Sequence, residues 1–225
     1  SMAEDKGTDT EAWTKAVSSI ATSKKVMNQL VMNYLAVQGY REAALCLHEE
    51  SGVELPAHME EINERENIRA ALLRGEVRHG SELINDFDAE ILDTEQDLMF
   101  TLQQQQLIEL IREEKLEEAL SFAQQELGPR AVMDAAMLDE LERTMALLAL
   151  DTNSAESDDS PLSRMLSVDQ RLATADKVND ALLTSLGQDK EPKLSSLLVL
   201  MEWAESKLKE KRVAFPPLDC IPSSI

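Results

Sequence analysis

The side chains able to do chemistry are few, and their spacing assembles no reactive group. The three histidines are His48, His58 and His79. His48-Glu49-Glu50 begins like the metal-binding helix of a zinc protease, but position 52, where the second histidine must fall, is glycine. The two cysteines, Cys46 and Cys220, stand far apart and cannot build a zinc RING, which needs several Cys and His ligands at close spacing. Cys46 would serve as a thioester nucleophile only if exposed in an electropositive setting. Its apolar, Glu-rich surroundings read instead as those of a small hydrophobe on a helix. With 43 Asp and Glu, carboxylate pairs arise by coincidence, and none has an Arg, His or metal-ligand partner at a telling spacing. No phosphate-cradling glycine loop occurs. The sequence therefore implies no catalytic residue, no metal ligand and no cofactor.

The composition points to helices that meet other helices. Of 225 residues, 43% are apolar and only 4% aromatic, so Leu, Ala and Met supply most of the core. With seven Gly and seven Pro, the balance favours helix over sheet. Lys and Arg total 22, for a net charge of −21. Such a surface argues against nucleic acid, whose phosphates need basic groups, and against anionic membrane. No uninterrupted apolar run approaches a membrane span, and no signal peptide or glycosylation sequon is found. With no disulfide framework, a reducing compartment, cytoplasm or nucleus, is the expected home.

The stretch 26–52 organises the chain. Leu30, Val31, Tyr34 and Leu35 fall on one helical face. Gly39 breaks the run, and Tyr40, Ala43, Ala44 and Leu47 form a second stripe that Gly52 stops. Ser23 is placed to cap the first helix. Two helices this short bury too little surface to stand alone, since isolated helices below roughly 12–15 residues are marginal. These positions, with Glu50-Ser51-Gly52, resemble the LisH motif, a small helical dimerisation unit.

Upstream, residues 11–20 can form a short helix with Trp13, Val17 and Ile20 inward. Downstream, residues 59–127 read as an antiparallel series of helices. A glycine stop falls at Arg74-Gly75. The long helix 95–113 is expected to be capped by Asp93 or Thr94. A further helix over 115–127 is expected to end firmly at Gly128-Pro129. On the long helix, Met99, Phe100, Leu107, Leu110 and Ile111 share a broad face with Gln103 inside it. The run 103–106 reads as helix surface plus that one semi-buried amide. Ile68, Gly75, Leu83-Ile84, Leu92, Phe100, Leu102, Gln105, Leu107-Ile108-Glu109, Ala119-Leu120 and Ala123 resemble the CTLH motif, which commonly follows LisH. Residues 141–149 are similar to the start of a CRA domain. An acidic polar loop, 151–160, then breaks the periodicity; it reads as a solvated linker ahead of the other reading, in which Ser157 before two aspartates is an acidic-type phosphosite. Helices over 173–186 and 192–209 follow. In the last one Leu197, Leu198, Met201, Leu200 and Trp203 make a face too broad for a single neighbour.

The order of these motifs gives an all-α fold with five segments: a tail and short helix (1–22), LisH (23–57), CTLH (58–128), CRA (129–215) and a C-terminal tail (216–225). In this fold a LisH helical hairpin is followed by an antiparallel helical CTLH–CRA array. The resemblance is to the small scaffold subunit of the CTLH (Gid-type) E3 ubiquitin ligase. It implies that CTLH pairs with the first half of CRA and that the last helix returns to brace LisH. It also implies homo- or hetero-oligomers with other LisH/CTLH/CRA subunits, including RING- and SPRY-containing ones. Dimerisation would run through Leu30, Val31, Tyr34, Leu35, Tyr40, Ala43, Ala44, Leu47, Leu197, Met201 and Trp203. CTLH partner contacts would fall on Phe100, Gln103, Leu107, Ile108 and Ile111. A second reading is a TPR-like helical repeat adaptor unrelated to ubiquitin ligases, although no recurrence near 34 residues is found. A third is an enzyme with a carboxylate-built site in a helical bundle.

Overall fold

A computed structural model of the protein describes residues 23–149 and 161–211, together with 15, 16, 19 and 20. Most of the expected helix 11–20, the acidic loop 151–160, Cys220 and the tail 216–225 lie outside the described residues. Those that are described form helices and connecting turns, with no strand among them. The chain divides into two units, residues 58–190 and the two flanking segments together.

In the flanking unit, α1 (Lys24–Val37) and α2 (Arg41–Ser51) make the expected hairpin. Ser23 caps α1, its Oγ accepting from the Val26 amide at 3.2 Å. The turn needs a left-handed residue, and Gly39 supplies it at φ 76°. Met32, Ala44 and Val53 form a small core, against which Leu35, Leu47 and Leu55 pack. His48 Nδ1 lies 2.6 Å from the Val53 carbonyl oxygen and ties the segment leaving α2 to that helix. The last helix, α12 (Lys193–Glu210), packs along α1. The Asn33 carboxamide oxygen accepts from the Lys193 amide at 2.9 Å, satisfying one of the free amides at the start of α12.

Residues 58–190 are built around one helix. They comprise α3 (Met59–Leu73), α4 (Val77–Phe87), the single turn α5 (Ile91–Thr94), α6 (Gln96–Arg112) and α7 (Leu116–Phe122). A π-helical segment (Ala123–Leu127) leads into α8 (Gly128–Ala131), α9 (Ala135–Ala146), α10 (Pro161–Met165) and α11 (Val168–Ser185). One core gathers Ile68, Leu72, Val77 and Ile84 with Leu98 and Leu102 of α6 and Val178 and Leu182 of α11. A second gathers Phe100, Leu107, Ile108 and Ile111 of α6 with Ala119, Leu127 and Leu147. Since α6 contributes to both, it is enclosed on nearly every side. The stretch resembling CTLH thus packs on the following stretch, Met137, Leu141 and Met145 covering the second core.

Four local expectations need correcting. Gly128-Pro129 does not end the helix: the π segment passes into another helical turn, with the proline at its start, where no amide donor is required. Neither Asp93 nor Thr94 caps α6. Thr94 Oγ1 donates back to the Glu90 carbonyl at 2.8 Å, α5 intervenes, and Glu95 precedes α6 without a side-chain cap. Helix α11 begins at Val168 rather than at residue 173, because the apolar pattern marked only its buried length. Cys46 is exposed on α2 rather than packed as a small hydrophobe.

One backbone position carries strain. Glu114, at the turn between α6 and α7, has φ 59°, a left-handed conformation that a Cβ disfavours by roughly 1–2 kcal/mol. Gly39, Gly75 and Gly187 occupy left-handed positions without that cost. Replacement Glu114→Gly is expected to raise stability by about 1 kcal/mol, read as an upward shift of the melting midpoint. A lowered midpoint would mean that the carboxylate contributes more than the strain costs.

Candidate interaction surfaces

The flanking unit exposes the apolar residues that sequence reasoning expected a partner to cover. On α12, Trp203 is 58% exposed, Leu200 56% and Leu197 42%, with Val199 and Met201 also open. On α1, Val26, Met27 and Val31 are exposed. Large apolar side chains in this number on one small unit are unusual for a surface that stays wet, and, being partly covered already, each would gain roughly 0.5–2 kcal/mol on full burial. The α12 positions cover more than half of the helix circumference, so α1 alone cannot shield them.

The expected dimerisation residues separate into two groups. Val31, Ala43, Leu197, Met201 and Trp203 face solvent. Leu30, Tyr34, Leu35, Tyr40 and Leu47 are half-buried, and Ala44 is fully enclosed. Leu35, Leu47 and Ala44 hold the hairpin together. Sequence reasoning passed over Val26, Met27 and Val199, of which the unbroken apolar run 197–201 could have signalled the last.

The five residues assigned to CTLH partner contacts are placed differently from that expectation. Phe100, Gln103, Leu107, Ile108 and Ile111 are all buried within residues 58–190, from 6% exposure for Gln103 to none for three of them. They are core rather than contact surface, because α6 is wrapped by its own chain on both sides.

Polar side chains on α6 are bonded inward. Gln103 Nε2 donates to the Glu126 carboxylate on the π segment at 3.3 Å. Gln104 Nε2 donates to Glu140 at 3.0 Å and to Thr144 at 2.9 Å, both on α9. Gln105 Oε1 accepts from Thr174 on α11 at 3.0 Å, and its Nε2 donates to Glu109 at 2.8 Å. Three consecutive residues, each turned about 100° from the last, therefore hold three different neighbours. The Glu109 carboxylate, 5% exposed, receives both forks of the Arg171 guanidinium, Nε donating at 2.8 Å. Arg171 Nη1 also donates to the Leu73 carbonyl at 3.1 Å, at the end of α3. The bond to Glu109 raises the Arg171 pKa above its ordinary value, whereas burial lowers that of neighbouring Arg112. Gly75 lies against this pair: a Cβ there would stand 2.5 Å from Arg171 Nη2 and 2.9 Å from Glu109 Oε2. Its φ of 82° excludes a side chain a second time.

An open cleft of about 330 Å³ lies between α6 and α11, lined by Glu95, Asp97, Thr101, Lys177, Asp180 and Lys190 among others. Its charges are mixed, and burial pushes the Asp180 carboxyl above the usual range. Neither a cysteine nor a histidine is among its lining residues. Among the described residues, no group of three His, Cys, Asp or Glu is placed to hold a metal ion, and no helix is long and apolar enough to cross a membrane.

Comparison with known proteins bears on the same elements. Residues 61–209 match the family model of the CTLH/CRA C-terminal to LisH motif domain. The chain is 45% identical over 203 residues to an Arabidopsis thaliana protein named as a GID8 homolog, covering 90% of this chain and 82% of the relative. It is 43% identical over 211 residues to the Dictyostelium discoideum glucose-induced degradation protein 8 homolog, covering 94% and 91%. A Schizosaccharomyces pombe protein named GID complex subunit 8 is 32% identical over 226 residues, covering 95% and 91%.

The buried clamp gives a direct test of what holds residues 58–190 together. Arg171→Met should cost about 3 kcal/mol, because the buried Glu109 charge keeps only the Arg112 guanidinium, 3.7 Å away, as a counter-ion. The double replacement Arg171→Met with Glu109→Leu should recover part of that loss, since the buried carboxylate is then gone and only the partly buried Arg112 loses a partner. Chemical denaturation of the three proteins measures both. Equal losses in the single and double variants would show that the charge pair is not what matters there.

Proposed function

Because the chain belongs to the family of the CTLH/CRA C-terminal to LisH motif domain, we propose that it is a non-catalytic scaffold subunit of a GID/CTLH-type E3 ubiquitin ligase. In this reading it dimerises through the hairpin 23–57 and α12, and links RING- and SPRY-containing subunits that share its motifs. The ubiquitin chemistry is carried by those subunits, and the place of work is cytoplasm and nucleus. Neither nucleic acid nor membrane is a partner. Support comes from the relatives, of which one is named for its place in the GID complex. The observation that carries the reading is the exposed apolar side of α12, with Trp203 and Leu200 more than half open.

Charge distribution supports the same division of labour. Residues 58–190 hold 30 of the 43 Asp and Glu but only 12 of the 22 Lys and Arg. The flanking segments are therefore close to neutral. Two neutral apolar faces can meet without the repulsion that strongly acidic surfaces would impose.

Leu200→Asp with Trp203→Asp tests this surface, since both side chains are more exposed than buried. The wild-type chain is expected to sediment as a dimer or larger, and the double variant as a monomer with unchanged helix content. A variant that sediments as the wild type does would remove α12 from the interface. Loss of RING and SPRY subunits from material co-purified with the variant is the matching expectation for the assembled complex.

A further inference from the structure

The open side of α12 has a matching segment in the chain's own sequence. Leu194, Leu198, Glu205 and Leu208 are half-buried and mark the side of the helix that packs on α1. Ser196, Val199, Leu200 and Trp203 stand at i, i+3, i+4 and i+7, a stripe on the opposite side. Within it Val199 is 66% exposed, Trp203 58% and Leu200 56%.

Helix α12 closes at Lys211, and residues 212–225 follow it outside the described part of the chain. They begin with Arg212 and then an uncharged apolar run, Val213-Ala214-Phe215-Pro216-Pro217-Leu218. Each proline fixes its own φ and turns the residue before it away from the helical region. The run is therefore biased to the extended polyproline II form before it meets anything. Such preformed segments dock on apolar, aromatic-lined surfaces at low entropic cost. Trp203, with Leu200 and Val199 beside it, is a surface of that kind.

The length of the run fits the stripe. After about two residues of reversal it would return along α12 at about 3.1 Å per residue, against about 1.5 Å per residue for the helix. Pro217 then falls level with Trp203, Leu218 with Leu200 and Met201, and Cys220 with Ser196. No charge is carried onto the apolar stripe, since the run lies between Arg212 and Asp219.

We propose that residues 213–218 fold back onto the Val199–Leu200–Trp203 stripe of their own chain, and that a partner protomer must displace them to reach α12. The proposal rests on the reading of α12 as the self-association surface and adds the regulation of that surface. Its effect is multiplied in a symmetrical pair, because both protomers must open. A segment that covers its own stripe roughly nine-tenths of the time would weaken self-association about a hundredfold.

Disulfide trapping tests the fold-back itself. In the full-length chain, Cys46→Ser leaves Cys220 as the one native thiol. Ser196→Cys places a second thiol on the stripe, and Glu202→Cys places one off the stripe but nearer the end of α12. Both positions are exposed. With oxidised glutathione as the oxidant and the protein dilute, the disulfide within one chain should form at least about fivefold faster in the Ser196→Cys protein, because docking raises the local thiol concentration. A segment that roams free would reach the nearer thiol at least as fast, and that result would overturn the proposal. So would disulfides that form only between chains. Phe215→Asp with Leu218→Asp, in the chain with its native cysteines, should tighten self-association by about 10- to 100-fold in sedimentation. Unchanged or weaker association would mean that the segment does not guard α12. If neither the wild type nor this variant associates at any concentration, α12 is not an interface, and the trapping rates still decide whether the segment folds back.

Discussion

Enclosure of α6 on nearly all sides is the constraint from which the helical unit follows. Twelve of its seventeen residues are buried, and four of those twelve, three glutamines and Glu109, carry amide or carboxylate groups. A buried polar group must find a partner or lose stability. Here the partners come from different elements: the π segment for Gln103, α9 for Gln104, α11 for Gln105 and for Glu109. Apolar contacts alone would let these helices slide along α6. The bonds fix the register, and the Glu109–Arg171 pair adds the end of α3 through the Leu73 carbonyl. Gly75 is then required twice over, by its left-handed turn and by the approach of the clamp.

Much of this was legible in the sequence, because helix stripes and glycine stops are local signals. Ser23 as a cap, Gly39 and Gly52 as turns, the hairpin between them and the return of the last helix to α1 could all be read from spacing or resemblance. The polar network was not legible. Gln103 reads as a semi-buried amide, but Gln104 and Gln105 look like surface when taken alone, and only the long-range partners Thr144 and Thr174 turn them inward. The same enclosure explains why Phe100, Leu107, Ile108 and Ile111 proved to be core: an apolar face says that something covers it, not whose chain does so. Gly128-Pro129 misled for a related reason. A glycine and a proline together can restart a helix as well as stop one, and the π segment decides which.

The two units divide the physical work. Residues 58–190 bond most of their buried polar side chains to one another and carry most of the negative charge, which keeps that surface wet. The hairpin and α12 do the reverse. Their shared core is small, and their larger apolar residues point outward. A unit of this kind gains stability from a neighbour, as a scaffold subunit must. The account's central claim is that the open side of α12 and α1 is covered by another protomer.

The molar mass of the full chain in solution, followed by light scattering over a wide concentration range, tests that claim most directly. The account predicts a mass at or above twice the 25.1 kDa of one chain, falling only on strong dilution. A mass that stays at that of a single chain up to the highest concentration would contradict it.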